Sequence, residues 1–478
     1  MLQTLKNAWN TKEIRGKILF TLFILLIYRL GSVIPVPFVE ANNFASSFSG
    51  TILDYMNTLS GGALGQATLF ALGVQPYINA SIIIQLLAVV FPKLGEMAKD
   101  DKEKMNFITR ILTVILAIVT AIGYYFLLKN SGALSNAATP SDNSFFWFYG
   151  IVIVACYVAG ASLVMWIAER INEHGIGNGI SIILFANIVA AVPAFCYQLA
   201  GFAINTFSYG EYNIDLAWLY PVLATIFAVV LVAFLIALIV AVIWFTGSER
   251  RIPIQYAKKV VGRKMYGGQS SNLPIKLNMT GVMPIIFASS IVSLLPTILA
   301  LCGVNGTGDG FWDAVYNAIG SDGFIYPITL FLLIIGFTYF YTMITFDPVE
   351  IANNLKKQGG AIPGIRQGRP TSDHISKILN KVNLVGALFL GVVAVLPILL
   401  SPHVIEPFIS WVLKAPYDPA DTYYSIYMAY YVQPAVSSLA STLTFGGTTL
   451  LIVVGVAVET FRELEAQLTM RNYKGFLG

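Results

Sequence analysis

The stretch Gly73-Val74-Gln75-Pro76-Tyr77-Ile78-Asn79-Ala80-Ser81-Ile82-Ile83 decides how this chain is read, because it occurs twice. It returns 208 residues later as Gly281-Val282-Met283-Pro284-Ile285-Ile286-Phe287-Ala288-Ser289-Ser290-Ile291, with seven identities in eleven. Matched Ile and Ala follow from an apolar composition and count for little. The Gly-x-x-Pro punctuation with an in-register Ala-Ser is harder to reach by chance and points to an internal duplication. A broken apolar segment at corresponding places in two halves marks the working site of inverted-repeat membrane proteins.

The composition around these two windows is that of a membrane protein. Of 478 residues, 56% are hydrophobic and 11% charged, with a mean hydropathy of +0.71. Soluble domains carry roughly 25% charged residues. A spanning helix takes about 20 apolar residues. By that measure ten spans are expected: 17–34, 75–92, 107–129, 147–169, 178–204, 219–246, 280–302, 323–346, 379–402 and 432–459. The basic residues before the first of these (Lys6, Lys12, Arg15, Lys17) also suit a signal peptide. The run is long, however, and no small-x-small cleavage site follows it, so it reads as a retained helix.

Lys and Arg then orient the chain. The N-terminus, 93–110, 170–177, 248–278, 348–381 and the tail after 460 hold 26 of the 29 basic residues. These segments are assigned to the cytoplasm, with both termini. Five spans per half is an odd number, so the second half enters the membrane upside down. The repeat offset also carries the first span onto the sixth. The expected domains are therefore an N-terminal half, 1–205, and a C-terminal half, 206–478.

Three features leave alternatives open on physics alone. The stretch Thr51–Leu72 is semi-apolar and contains Gly61, Gly62 and Gly65. It reads either as an external loop with a short surface helix or as an element folded back into a pore. Arg29, inside the first span, is a functional hypothesis by default. Its place near the outer end suits a structural anchor at least as well. The basic loops 248–278 and 348–381 satisfy the positive-inside rule. Their length and basic tips favour a docking surface for an acidic or RNA-containing partner. The signals Gly359-Gly360 and Pro363-Gly364 predict that the second loop is a protruding hairpin.

The sequence shows no enzyme constellation: no nucleophile elbow, no P-loop and no paired intramembrane carboxylates. Cys156, Cys196 and Cys302 read as small buried apolar residues, not as a disulfide framework or a metal site. His174, His374 and His403 lack ligand spacing, so neither a metal nor a cofactor is expected. An ion-coupled transporter of inverted repeats for a small solute is the alternative reading. It calls for polar groups near the midplane. The broken segments offer β-branched residues instead, which close a passage by dewetting and packing.

Longer motifs then identify a family. They are Ala71-Leu72-Gly73 through Pro76-Tyr77-Ile78 and on to Ser81–Leu87, Gly175-Ile176-Gly177-Asn178-Gly179-Ile180-Ser181, Arg251-Ile252-Pro253-Ile254-Gln255-Tyr256-Ala257, and Gly262-Arg263-Lys264-Met265-Tyr266-Gly267-Gly268. Asn354-Leu355-Lys356-Lys357-Gln358-Gly359-Gly360 before Pro363-Gly364-Ile365-Arg366, and Gly446-Gly447-Thr448 before Leu451-Ile452-Val453-Val454, complete the set. Over essentially its whole length the chain resembles the SecY/SEC61-alpha family, the channel-forming subunits of protein translocases.

The resemblance implies an all-α integral membrane protein, with ten transmembrane helices in two inverted five-helix halves around an hourglass pore. It implies passage of unfolded secretory chains across the bacterial cytoplasmic membrane, and lateral release of apolar segments into membrane lipid. Implied partners are SecE and SecG, the SecA ATPase, the ribosome with its nascent chain, signal peptides, and SecDF and YidC as accessories. The implied pore ring is Val74, Ile78, Ile180, Leu184, Ile286 and Ile452, departing from all-isoleucine at Val74 and Leu184. The implied plug is about 51–72, including Leu59, Gly61, Gly62 and Leu64. Lateral-gate candidates are Asn79, Gln85, Ser289, Ser290 and Leu294. Docking candidates are Arg250, Arg251, Lys258, Lys259, Lys356, Lys357, Arg366 and Arg369.

Overall fold

A computed structural model describes residues 2–40, 52–134, 146–208, 219–256, 259–261, 264–266, 270–302, 304, 310–319, 325–400 and 446–474. Most of this is helix. The N-terminal half holds α1 (Leu2–Asn10), α2 (Lys12–Gly31), α3 (Ile52–Leu59), α4 (Gln75–Val90), α5 (Pro92–Asp100), α6 (Lys102–Asn130), α7 (Phe146–His174) and α8 (Gly179–Ser208). The C-terminal half holds α9 (Leu219–Gly247), α10 (Met283–Leu301), α11 (Phe311–Ile319), α12 (Ile325–Thr345), α13 (Pro348–Lys357), α14 (Arg369–Leu400) and α15 (Gly446–Lys474).

A helix covers most of the described part of every expected span. Among the described residues, five stretches are long and apolar enough to cross a membrane: Glu103–Asn130, Trp147–His174, Ala228–Gly247, Ile325–Lys357 and Arg369–Leu399. Gln75–Val90, Gly179–Ala194 and Met283–Leu299 are apolar but shorter. The apolar run of α2 is flanked by Lys12, Glu13, Arg15 and Lys17 at one end and Arg29 at the other. Residues 432–445 and 401–402 of the last two expected spans lie outside the described residues. The outward faces carry many large exposed apolar side chains. Leu26 is 56% exposed, Val240 60% and Leu332 62%, as expected for helices solvated by lipid tails.

Both copies of the opening motif fold alike. Gly73 and Gly281 adopt left-handed backbone, φ +52° and +64°. In each copy a helix starts two residues later, with proline in its first turn. Proline suits that place because the first amides have no intrahelical partner. A side chain at a left-handed position costs about 1 kcal/mol, so glycine makes both sharp entries cheap. On the far side Phe91 and Pro92 stop α4 after 16 residues.

The two sets of helices touch along two lines. On one side α4 and α6 pack against α10; on the other α8 packs against α9 and α15. Within the halves, α4 packs on α6, α6 on α7, α10 on α12, α12 on α14 and α14 on α15. The amphipathic α1 lies on α2 and on the extension of α15. There Ala8 and Ile14 meet Leu464 and Ile176.

Two expectations about the loops need correction. The chain is not all-α. Residues after α9 form a hairpin of β1 (Glu249–Tyr256) and β4 (Ser270–Lys276), with β2 (Lys259–Val261) and β3 (Lys264–Tyr266) paired beyond it. The cause is period-2 alternation: Ile252 and Ile254 are buried while Arg251, Pro253 and Gln255 are exposed. The second loop is not a hairpin of its own. Asp347 caps α13, its carboxylate accepting from the Val349 and Glu350 amides at 2.8 and 3.4 Å, with Pro348 in the first turn. The glycine turn then yields only β5 (Gly360–Ala361), which joins β1 antiparallel through Gln255↔Ala361 and Tyr256↔Gly360. The resulting sheet, β4-β1-β5, unites both loops over a shared core of Ile252, Ile254, Ile275, Leu355, Ile362 and Ile375.

Candidate functional site

The six ring positions come from four helices. On α4 and its entry, Val74 and Ile78 are four residues apart and so share a face. They are 2% and 1% exposed. On α8, Ile180 and Leu184 repeat that spacing; Leu184 is buried and Ile180 half-buried. Ile286 on α10 and Ile452 on α15 are buried as well. All six belong to one apolar cluster, Ile180 as a partly buried residue packed against it. All six side chains are apolar, so closure there rests on packing and dehydration.

The stretch after α3 is buried among the helices. Leu59, Ser60, Ala63 and Leu64 are all at most 5% exposed. α3 packs against α8 and α10. Gly61 and Gly62 take φ +70° and +88° and turn the chain back towards Gly73. The Tyr124 hydroxyl donates to the Leu64 carbonyl, and that of Tyr157 to the Ala67 carbonyl at 3.2 Å. Leu59 packs in the same cluster as the ring residues, and a cavity of about 50 Å³ beside this contact is lined by Leu59, Leu64, Val74, Gln75, Leu184 and Thr297. It is lined mainly by apolar side chains.

Asn187 of α8 holds the element in place. Its amide donates to the Leu59 carbonyl at 2.8 Å and to the Tyr28 hydroxyl at 2.9 Å. Arg29 donates to the Ala186 carbonyl at 2.5 Å. A Cβ built on Gly61 would sit 2.7 Å from the Arg29 guanidinium and 2.9 Å from the Asn187 side chain. Arg29 is thus a structural anchor, tying α2 to α8 beside Gly61. Asn187 and Tyr28 were not among the expected site residues. A single asparagine in the apolar run of α8 was the available signal.

The gate candidates divide. Gln85 makes a cross-helix contact: its carbonyl accepts from the Tyr341 hydroxyl of α12 at 2.5 Å, while its amide donates to Ser81 at 2.9 Å. The Asn79 carbonyl is buried without a partner. Ser289 and Ser290 are buried, and Ser289 donates within its own helix to the Ile286 carbonyl at 3.0 Å. Leu294 is 40% exposed on the outer surface of α10. Beside Gln85 a cavity of about 760 Å³ opens between α4, α6, α12 and α14.

Of the docking candidates, Arg250, Arg251, Lys356, Lys357, Arg366 and Arg369 are exposed. Arg251 pairs with Glu249 at 2.7 Å. Lys259 lies in β2, and Lys258 falls outside the described residues. The β1–β5 pairing joins the strand that carries Arg250 and Arg251 to the segment after Lys356 and Lys357, so the two loops share one sheet.

Comparison with known proteins agrees with this geometry. The family model for SecY matches residues 68–461. The protein translocase subunit SecY of Mycobacterium bovis is 39% identical over 493 aligned residues, covering 100% of both chains. A solved structure described as that of a protein conducting channel aligns with 95% of this chain and 92% of its own, at a TM-score of 0.59 and 17% identity. Sec61 in a canine ribosome–channel complex from the endoplasmic reticulum aligns over the same shares, at a TM-score of 0.55 and 16% identity. The two structural likenesses bear on fold alone.

Proposed function

This chain belongs to the SecY family, and from that premise we propose that it is the channel-forming subunit of a protein translocase. It passes unfolded secretory chains across a membrane and releases apolar segments sideways into lipid. The observation that carries this reading is the inward-folded element resting on an uncharged ring drawn from both halves. A passage for chemically varied polypeptide needs a seal that yields to any side chain, and apolar contacts are non-directional. The alternative, a transporter of small solutes, has no support, since the ring offers no coordinating groups.

In this reading ten helices cross the bacterial cytoplasmic membrane as two inverted halves, 1–205 and 206–478, around an hourglass pore, with both termini cytoplasmic. The matched left-handed entries at Gly73 and Gly281 support the duplication. Residues 51–72 are the plug, and Leu59, Gly61, Gly62 and Leu64 are its working part. The lateral gate lies between α4/α6 and α10/α12. Arg250, Arg251, Lys356, Lys357, Arg366 and Arg369, with Lys258 and Lys259, receive SecA or a translating ribosome. The exposed cations on the two loops joined by the β1–β5 pairing support such docking. SecE and SecG bind as subunits, SecDF and YidC as accessories, and signal peptides enter at the gate.

Depletion tests the function as a whole. Cells making a limiting amount of the chain are expected to accumulate uncleaved secretory precursors in the cytoplasm within a few generations. Normal precursor processing, combined with gradient-driven solute uptake by the purified chain in liposomes, would favour the transporter instead.

A further inference from the structure

The short helix α11 is strung between the end of α10 and the start of α12, and it packs against both. The β4-β1-β5 sheet lies at the other ends of those two helices, before α10 and after α12 in the chain. The helical period puts Phe311, Trp312, Val315, Tyr316 and Ile319 on one broad face of α11, with Asp313, Ala314 and Asn317 opposite. Protein covers only part of that apolar face. Tyr316 is buried in a cluster with Leu299, and Val315 and Val304 pack against it. Phe311 and Trp312 stand out from the same face, 74% and 57% exposed. Their rings meet edge to face, centroids 5.5 Å apart, and form one apolar projection.

Two bare aromatic rings are costly in water and favourable at the level of lipid headgroups, where an indole keeps its N–H wet and its body apolar. Two observations name lipid as what covers them. The last two turns of α10 carry Leu295 and Ile298, and the first turn of α12 carries Ile325 and Ile328; each is between 42% and 48% exposed. The rings therefore continue the lipid-facing surface of the helices that α11 joins. The charge of the segment also excludes an acidic partner. From 302 to 324 there is no Lys or Arg, and the charged residues are Asp309, Asp313 and Asp322. Seating then rests on apolar burial and owes nothing to anionic headgroups. We propose that α11 is an interfacial anchor, seated by Phe311 and Trp312 in the non-cytoplasmic surface of the bilayer, and that it ties the ends of α10 and α12 to that surface. The proposal rests on the orientation in the channel reading above and adds a lipid-binding surface to it.

The test uses the full chain, in cell membranes and reconstituted into vesicles, with a photoreactive benzophenone side chain at position 311, 312, 314 or 317 in turn. Positions 311 and 312 are expected to give phospholipid adducts at least about tenfold more often than 314 and 317, a ratio that burial of one aromatic ring supports. The yield is expected to be the same in vesicles of phosphatidylcholine with and without phosphatidylglycerol. Equal yields at all four positions would overturn the anchor. So would a yield that requires the anionic lipid, or adducts at 311 and 312 to another protein or a second copy of this chain instead of lipid. Orientation is read separately. A membrane-impermeant thiol reagent applied to protoplasts is expected to label Asn317→Cys above the unsubstituted chain, whose own three cysteines set the background. Lipid adducts without such labelling would overturn the orientation in the channel reading instead. Should the benzophenone chains fail to accumulate, Trp312→Phe gives a second readout. Lipid brominated near its headgroup is expected to remove less tryptophan fluorescence from this variant than from the unsubstituted chain, and an equal loss would overturn the anchor.

Discussion

Ile78→Asn is expected to open the resting channel to ions. Ile78 is 1% exposed and belongs to a cluster of apolar side chains. An asparagine amide there has no partner, and burying it costs about 1–3 kcal/mol. The penalty applies to the closed packing and is relieved when the ring parts and water enters. Each 1.4 kcal/mol is a factor of ten in population, so the open fraction should rise roughly 10- to 100-fold. Single-channel recording of the reconstituted chain should show this as frequent openings without substrate. Ile286→Asn should behave alike, because Ile286 occupies the equivalent place in the second repeat and is 2% exposed. Ile78→Val, which stays apolar, should remain closed. A leak unchanged by either asparagine would remove the ring from the account.

Reversing the charge of the cytoplasmic platform is expected to uncouple the channel from its motor without unfolding it. The variant carries Arg250→Glu, Arg251→Glu, Lys356→Glu and Lys357→Glu. All four side chains are exposed, and the platform's core of Ile252, Ile254, Ile275 and Leu355 is untouched. Long-range attraction to an acidic surface turns into repulsion, which acts chiefly on association rate and register. Binding of purified SecA or of ribosomes to membranes containing the variant should fall at least tenfold at low salt. The unsubstituted chain should lose the same binding as salt rises and the Debye length shrinks. Undiminished binding would place the docking surface elsewhere. Arg366→Glu with Arg369→Glu extends the test to the turn after β5.

The parts of this structure legible in the sequence are those set by local chemistry. Gly-x-x-Pro announced both broken entries, because glycine and proline impose backbone geometry wherever they stand. The spans followed from apolar length, and their ends only loosely: α14 begins at Arg369, ten residues before the expected span. The ring residues were assigned through the family resemblance, not from spacing, and the structure places them in one apolar cluster. The platform was misjudged where local signals competed. Gly359-Gly360 and Pro363-Gly364 suggested a hairpin, while Asp347-Pro348, a helix start, went unread. Pro253 within β1 masked a strand that has one solvent-facing edge's worth of alternation in Ile252 and Ile254. Tyr341 was invisible for another reason. Its partner is 256 residues away, and nothing local marks one tyrosine of an aromatic helix as bonded. Asn187, likewise, is explained only by the carbonyl and hydroxyl it meets in the fold.

The central claim is that polypeptide passes through the ring built from both halves. A photocrosslinking side chain placed at position 78, 184, 286 or 452 in turn, with a precursor stalled midway by a folded C-terminal domain, examines this directly. Positions 26 and 240, on outward faces that are 56% and 60% exposed, serve as controls. Adducts to the stalled precursor are predicted from all four ring positions and from neither control. Adducts from the outward faces, with the ring positions silent, would contradict the account.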